Sequence, residues 1–355
     1  ARVLLRHLQP AIVVALAATL AGCFNSTVSV SEISGATMGS TYSIKWVPVK
    51  GTPDPVELQA DIERELEVFD AQVSTWRDDS DLSRFNALPA GACAPMPQPV
   101  LDMVQLAQSL NAASDGRFDV TVSPLLDLWG FHRADGVQVV PDQPSIDRAL
   151  QKVGQQHLRI EDDTLCKDAD VEVDLSSLAA GYMVDRAAEQ LVALGITDYM
   201  IEMTGELKAV GRKPGDVPWR IAIEEPRDDE RMATMVVELD GYAISTSGDY
   251  RNYFEYDGKR YSHTVDPLTG WPVMHGLSAV TVMDPSTLMA DGLSTLLLVL
   301  DYGLVSGISV DESGGGRHVG GRDDGPQTHC RVLRRYWRNR TGQVLRHLWW
   351  RRHQM

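Results

Sequence analysis

Asp291 and Thr295 stand four residues apart in an apolar stretch, Thr287 to Leu300. On a helix that spacing puts both side chains on one face. A carboxylate and a hydroxyl are hard oxygen donors of the kind Mg2+ accepts, with water and a substrate phosphate completing the shell. The same pair also reads as a polar first turn of an apolar helix. A second segment sets Asp174 ahead of Ser176, Ser177, Ala179, Ala180 and Gly181, at a strand end and a helix start. Free N–H groups flanked by small side chains suit a phosphate or another anion, and equally a plain N-cap. His263, between a strand-like stretch at 256–261 and the Asp266-Pro267 turn, suits a general acid or base near neutral pH. It also suits a hydrogen bond to that turn. Two more segments read as turn chemistry rather than core: Thr37-Met38-Gly39-Ser40, and Gly116 to Asp119 with the run that follows.

These segments need elements to carry them. Residues 41–49 alternate and read as a strand. Leu58, Ile62, Leu66 and Phe69 lie at helical spacing in a helix over 56–73, opened by Pro53-Asp54-Pro55. A second helix is expected over 99–114. Residues 131–150 read as a polar loop leading into a short helix. Strands are expected at 158–160, around Cys166 and at 171–173, and a helix over 177–194, stopped by Gly195. Further strands are expected at 199–203, 207–211, 219–223, 235–239, 242–245 and 278–283, before the helix over 287–300. Helices and strands mix without a regular βαβ rhythm, so the expected fold class is α+β.

The chain has 355 residues, 43% of them hydrophobic and 23% charged, ordinary values for a protein with a real core. Its formal charge of −16 excludes a whole-surface basic footprint for nucleic acid. The charge is uneven. Residues 313–355 hold 10 Arg, no Lys and two acids, which leaves 23 basic and 47 acidic residues in 1–312. Arg2 and Arg6 precede a short apolar run that ends in Leu20-Ala21-Gly22-Cys23. That pattern reads as a secretory signal over 1–22. Its end resembles a bacterial lipobox, with Cys23 as the lipidated residue; an ordinary signal that happens to contain a Cys is the alternative. The Ser/Thr/Val-rich stretch at 23–33 reads as a tether. Among the remaining thiols, Cys93 and Cys166 are a plausible disulfide pair in an oxidising compartment, or two free thiols.

Eight ordered blocks give these segments a common context: TMGSTY, STWRDDSDLSRFN, GRFDVTVSPLLDLWGF, DLSSLAAGYMVD, IEMTGEL, WRIAIEEP, ISTSGDYRNYFEYDGKRYSHTVDPLTGWP and MADGLSTLLLVL. Together they resemble the bacterial ApbE family of FAD-dependent flavin transferases across residues 34–301. The resemblance implies an ApbE-like, T-fold-related domain of mixed sheet and helix, divisible into two lobes around an FAD site. It implies an enzyme that uses Mg2+ to cut the FAD pyrophosphate, move FMN onto a Thr hydroxyl of a target flavoprotein and release AMP. Targets in the family include flavin-acceptor subunits of membrane redox complexes. The implied setting is the bacterial cell envelope, lipid-anchored and facing the periplasm.

Carried onto this chain, the resemblance assigns FAD contacts to Met38, Trp76, Arg117, Phe118, Asp119, Asp174, Ala180 and Val265. Trp76 stands where relatives usually place a Tyr against the flavin. The metal falls to Ser177, Asp291 and Thr295, and His263 becomes the proton-transfer candidate beside Asp291. Ala180 departs from the Lys of many relatives and implies one phosphate contact fewer. The alternatives are a Mg2+-dependent FAD diphosphatase giving FMN and AMP, a non-catalytic flavin-binding lipoprotein and a periplasmic solute-binding lipoprotein. Residues 302–355 depart from the pattern of relatives. Their Arg-rich composition, without helical or strand period, reads as an out-of-frame or joined sequence, or as a basic arm for acidic lipid or nucleic acid.

Overall fold

A computed structural model describes residues 29–132, 138–224, 233–249, 252–275 and 277–300, with three short strands between 330 and 346. The signal segment and Cys23 lie outside the described residues, as does most of the tail.

The chain opens with a hairpin, β1 (Ser31–Thr37) and β2 (Ser40–Trp46), in register Ser31 opposite Trp46. The stretch expected as a tether is therefore already strand from Ser31. Its alternation is masked by Ser, Thr and Gly, but only Ile33 is buried along it, as befits an edge. The turn is Met38-Gly39, both at positive φ (45° and 72°), the two-residue geometry that matches strand twist. Helices α1 (Pro55–Val73) and α2 (Asp81–Asn86) follow. Asp54 caps α1 by accepting the Val56 N–H, and the expected stripe of Leu58, Ile62, Leu66 and Phe69 is buried.

Next come β3 (Cys93–Pro95), α3 (Gln98–Ala113), α4 (Ser123–Trp129), α5 (Gln143–Leu150), β4 (Leu158–Glu161) and β5 (Thr164–Lys167). Cys93 pairs across the β3–β5 ladder with Cys166, and a disulfide joins them. The expected strand at 171–173 is not one. The Asn86 side chain instead accepts from the Val173 N–H and donates to the Val173 carbonyl, taking the place of a partner strand. Helix α6 (Ala179–Ala193) leads to β6 (Tyr199–Met203), β7 (Glu206–Val210), β8 (Arg212–Lys213), β9 (Val217–Glu224), β10 (Ala233–Leu239) and β11 (Tyr242–Gly248). A hairpin, β12 (Tyr253–Tyr256) and β13 (Lys259–Ser262), precedes β14 (Ala279–Asp284) and α7 (Thr287–Val299).

The main sheet runs β1-β2-β6-β7-β11-β14, with every neighbour antiparallel. In the tail, Cys330–Leu333 forms β15 and extends the sheet parallel to β14. Tyr336–Arg338 (β16) and Val344–Arg346 (β17) form a separate ladder. These short strands form in a stretch whose sequence shows no strand period. Edge pairing uses backbone groups that every non-proline residue carries, so side-chain period was no guide.

The period-2 alternation of strands divides the core. Tyr42, Ile44, Trp46, Ile201, Met203, Val280 and Val282 share the main cluster with α1, α3, α6 and α7. Leu207, Ala209 and Ile244 point to the opposite face, where β9 and β10 cover them with Trp219 and Leu239. A smaller cluster gathers Leu125 and Trp129 of α4, Ile146 of α5, Phe254, Tyr261 and Val265. Mixed sheet and helix with three unequal apolar clusters is the α+β arrangement expected.

Candidate functional site

On β11 the alternation sends Ile244 away from the helices and Ser245 and Ser247 toward them. On the neighbouring β7 it sends Leu207 away and Glu206 and Lys208 toward the helices. The helix side of this sheet end is thus polar, and α7 lies over it. Asp291 and Thr295 share the facing side of α7, as their spacing requires. Asp291 Oδ2 accepts the Gly181 N–H of α6 at 3.0 Å. Ser245 Oγ lies 3.5 Å from Asp291 Oδ1 and 3.4 Å from Glu206 Oε1, between the two carboxyl groups. Ser294 Oγ is 3.2 Å from Ser245 Oγ and 2.7 Å from Ser247 Oγ, and Ser247 reaches Thr295 Oγ1 at 3.2 Å.

Burial pushes the Asp291 carboxyl well above the usual range, and the Glu206 charge adds to the rise. Burial likewise pushes Glu206 up to about 7, against the hydrogen bonds it accepts from Thr204 and Ser245. Among the described residues no ion pair joins either carboxylate to a cation. Nor do three His, Cys, Asp or Glu side chains converge to cage a metal by themselves. Two crowded carboxylates ringed by hydroxyls form an all-oxygen donor set lacking a positive partner. That chemistry fits Mg2+, which keeps several waters and takes substrate phosphate rather than a full protein cage.

The other expected residues fall into three groups. Asp174 is buried at the mouth of α6, its N–H donating to Val120 O and its Oδ1 accepting the Ser176 N–H at 2.7 Å. His132 Nε2 lies 3.4 Å from Asp174 Oδ2, and His132 Nδ1 lies 3.5 Å from Asp127 Oδ1. The hydrogen bond to Asp127 raises the imidazole above its ordinary value, despite partial burial. Arg117 pairs with Asp266 at 3.0 Å and thereby ties the main core to the 266–271 turn. That turn is anchored by Trp129 Nε1, which donates to Gly270 O. Ala180 is buried in the first turn of α6, and Ser177 is half-buried just before it. The helix starts at Ala179 rather than at Ser177, because 175–178 forms a turn.

Three residues are committed to the protein interior. Asp119 Oδ1 accepts from the Thr121 N–H and hydroxyl, and its Oδ2 accepts from the Gln155 N–H, so this carboxylate holds a loop. Phe118 is packed in the main core and Val265 in the smaller one. Any ligand would meet their backbone and their support rather than a free side chain. Met38 and Trp76, by contrast, present large apolar side chains to solvent, Trp76 at 77% exposure. His263 Nδ1 lies 3.0 Å from the Asn252 carbonyl, which only accepts, so Nδ1 carries the proton and Nε2 keeps a lone pair. Burial holds this imidazole below its ordinary value, in the neutral form that can accept a proton.

The sequence marks Ser245 and Ser247 only as part of a turn-like segment with chemistry, without a contact of their own, and gives no role to Glu206, Ser294 or His132. All but one lie inside the blocks already singled out, IEMTGEL, ISTSGDY and MADGLSTLLLVL, and His132 directly follows GRFDVTVSPLLDLWGF.

The ApbE family profile matches residues 38–307. The chain belongs to the ApbE family. ApbE relatives include the FAD:protein FMN transferase of Vibrio cholerae, 44% identical over 295 residues, spanning 83% of this chain and 87% of that protein. The FAD:protein FMN transferase of Escherichia coli is 38% identical over 276 residues, spanning 76% of this chain and 78% of that one. Among solved structures, the apo form of the Pseudomonas stutzeri flavinyl transferase ApbE superposes with a TM-score of 0.71 at 52% identity. It covers 76% of this chain and 84% of its own. The Thermotoga maritima ApbE protein gives 0.69 at 28% identity, covering 76% and 87%. The ApbE match ends at 307, a few residues beyond the expected domain end at 301.

Proposed function

We infer that this chain is an enzyme that transfers FMN from FAD to a protein acceptor. The observation that carries the reading is the Asp291–Glu206 carboxylate pair, ringed by Ser245, Ser247, Ser294 and Thr295 beside the small-residue start of α6. An anionic pyrophosphate and the ionised forms of these two acids repel one another. A Mg2+ held by Asp291 and Thr295, with Ser177 at the helix start, would offset that repulsion and stabilise charge on the departing AMP.

The chain's own residues supply the rest. At the start of α6 the N–H groups of Ser176, Leu178, Ala179 and Gly181 are already bonded to Asp174, Leu175 and Asp291, so what this helix end offers the pyrophosphate is the room left by its small side chains and its dipole. Trp76 stacks on the flavin ring, and Met38 packs beside it. Arg117 is held by Asp266 at the nucleotide side, and Asp174 is held between Ser176 and His132. The acceptor is a Thr hydroxyl. Its oxygen attacks the FMN phosphorus, a new P–O bond forms, the bond to the AMP oxygen breaks, and the proton passes to His263 Nε2.

The test incubates the protein with FAD and Mg2+, with and without a flavin-acceptor subunit of a membrane redox complex. Mass spectrometry should find the acceptor heavier by one FMN and an equivalent of AMP released, both lost in Asp291→Ala. FMN and AMP appearing at the same rate without any acceptor labelling would instead make the protein an FAD diphosphatase. We also propose a lipid-anchored, periplasm-facing location in the bacterial envelope, through Cys23. The Cys93–Cys166 disulfide supports an oxidising compartment.

A further inference from the structure

Asp185 lies one turn beyond Gly181 on the same face of α6, one turn away from the contact that Gly181 makes with Asp291. Its carboxylate is the most heavily engaged at the α6–α7 crossing. Oδ1 accepts from Thr287 Oγ1 at 2.9 Å and from Lys208 Nζ at 2.7 Å. Oδ2 accepts from Ser286 Oγ at 2.9 Å and from the Leu288 N–H at 3.1 Å. Lys208 Nζ also donates to Pro285 O at 2.8 Å, so one ammonium grips both the carboxylate and the chain entering α7. A negative group here also faces the positive end of the α7 dipole.

The contacts form a two-rung ladder. Asp185 meets Thr287, and Gly181, four residues earlier on α6, meets Asp291, four residues later on α7. Two attachment points one turn apart restrain both the axial slide and the rotation of a helix. Rotation is the sensitive coordinate, because about 100° per residue separates successive side chains on a helix. A small turn of α7 would carry Asp291 and Thr295 off Ser245 and Ser247. Ser286 already caps α7 locally by accepting the Met289 N–H, so the helix can form without Asp185. What Asp185 adds is register.

We propose that Asp185, backed by Lys208, is a positioning residue for the cation site: it fixes α7 so that Asp291 and Thr295 present their oxygens together. This rests on the reading of that site as a divalent-cation site. Asp185→Asn keeps size and an acceptor but loses the charge that Lys208, Ser286, Thr287 and Leu288 share. Lys208→Met removes the backing of Asp185 and the bond to Pro285 O but leaves Asp185 its three contacts to Ser286, Thr287 and Leu288, so it is the milder variant.

The experiment titrates Mn2+, as a paramagnetic probe, into wild type, Asp185→Asn, Lys208→Met and Asp291→Ala by electron paramagnetic resonance, with AMP present. FAD KM at saturating Mg2+ and melting temperature without metal are measured alongside. Expected is a rise in the Mn2+ half-saturation concentration of about 10-fold or more in Asp185→Asn, the effect of removing a group that orients a metal ligand. Lys208→Met should give a smaller rise, FAD KM should stay within about twofold, and excess Mg2+ should restore turnover. A lowered melting temperature with unchanged Mn2+ half-saturation in both variants would overturn the proposal and leave Asp185 a fold-stabilising cap. Wild type and Asp291→Ala binding Mn2+ alike would overturn the cation site itself, and with it this inference.

Discussion

Replacing Gly181 by Ala tests the close crossing of α6 and α7, and two effects of opposite sign decide the outcome. Inside a helix, Ala is favoured over Gly by about 1 kcal/mol. Against that, a methyl at Gly181 would sit 2.7 Å from Thr287 O, 2.8 Å from Asp291 Cβ and 2.9 Å from Leu288 Cα. Those are backbone atoms and the root of a side chain, so none can swing aside and α7 itself must shift. Forcing a methyl into a packed interface costs about 1–3 kcal/mol, and here three contacts must be relieved together. The clash therefore wins, with a net loss of about 1–2 kcal/mol, or a melting temperature about 2–8 °C lower for a domain of this size. Gly292 on α7 is the internal control. A methyl there meets Leu110 Cδ1 at 2.7 Å and Leu178 Cδ2 at 2.9 Å, the ends of flexible side chains. Gly292→Ala should lose much less, or nothing, once propensity is counted. The assay is thermal unfolding without metal, followed by Mg2+ titration of FMN transfer. Gly181→Ala should lose stability and need more Mg2+, because the shift moves Asp291. A Gly181→Ala protein as stable as wild type, or more so, would refute the close crossing.

Trp76→Ala should leave the melting temperature unchanged, since a side chain this exposed contributes little to folding. It should raise FAD KM by about 2–10-fold, the worth of one aromatic stacking contact; an unchanged KM would remove Trp76 from the flavin site. His132 is raised above its ordinary value by Asp127, with Asp174 adding to the rise. Its contribution is fully present below the unfolded value near about 6.5 and is lost as pH rises through the higher folded value. Wild type should exceed His132→Gln in stability most around pH 5–6, and a gap that widens toward alkaline pH would contradict this. Reducing the Cys93–Cys166 bridge, or replacing both by Ser, should cost about 2–5 kcal/mol given a sequence separation of 73 residues. A denaturant midpoint indifferent to reductant would count against the bridge. Cys23→Ala should move the protein from the membrane to the soluble fraction of cells, and retention in the membrane would discount lipidation there.

How far the site was legible depends on which residues are compared. Asp291 and Thr295 could be paired from spacing alone, because helical period is a local property. Asp174 could be placed at a helix start for the same reason, although the helix begins two residues later than its small residues suggested. Glu206 and Ser245 are 39 residues apart and meet only because β7 and β11 are neighbours, with β8, β9 and β10 looping away between them. No local pattern encodes that adjacency. Asp119 and Phe118 look alike in sequence to exposed ligand-binding residues, yet long-range partners draw both inward: Gln155 takes one, and α7 covers the other.

By itself the sequence determined the longer elements and their faces. The stripe on α1, the alternation along β6, β7 and β11, and the shared face of Asp291 and Thr295 all follow from backbone periods that act over a few residues. It also determined membership of the ApbE family, since eight blocks in order are a pattern that no composition produces. The tertiary structure alone decided which polar faces meet. Gly181 admits α7 because it lacks a Cβ, Asp185 and Lys208 set its register, and sheet order brings Ser245 and Glu206 beneath it. Those contacts join residues up to 110 positions apart. They arise only when burying the apolar faces forces the polar ones together, and so it is packing that assembles the site.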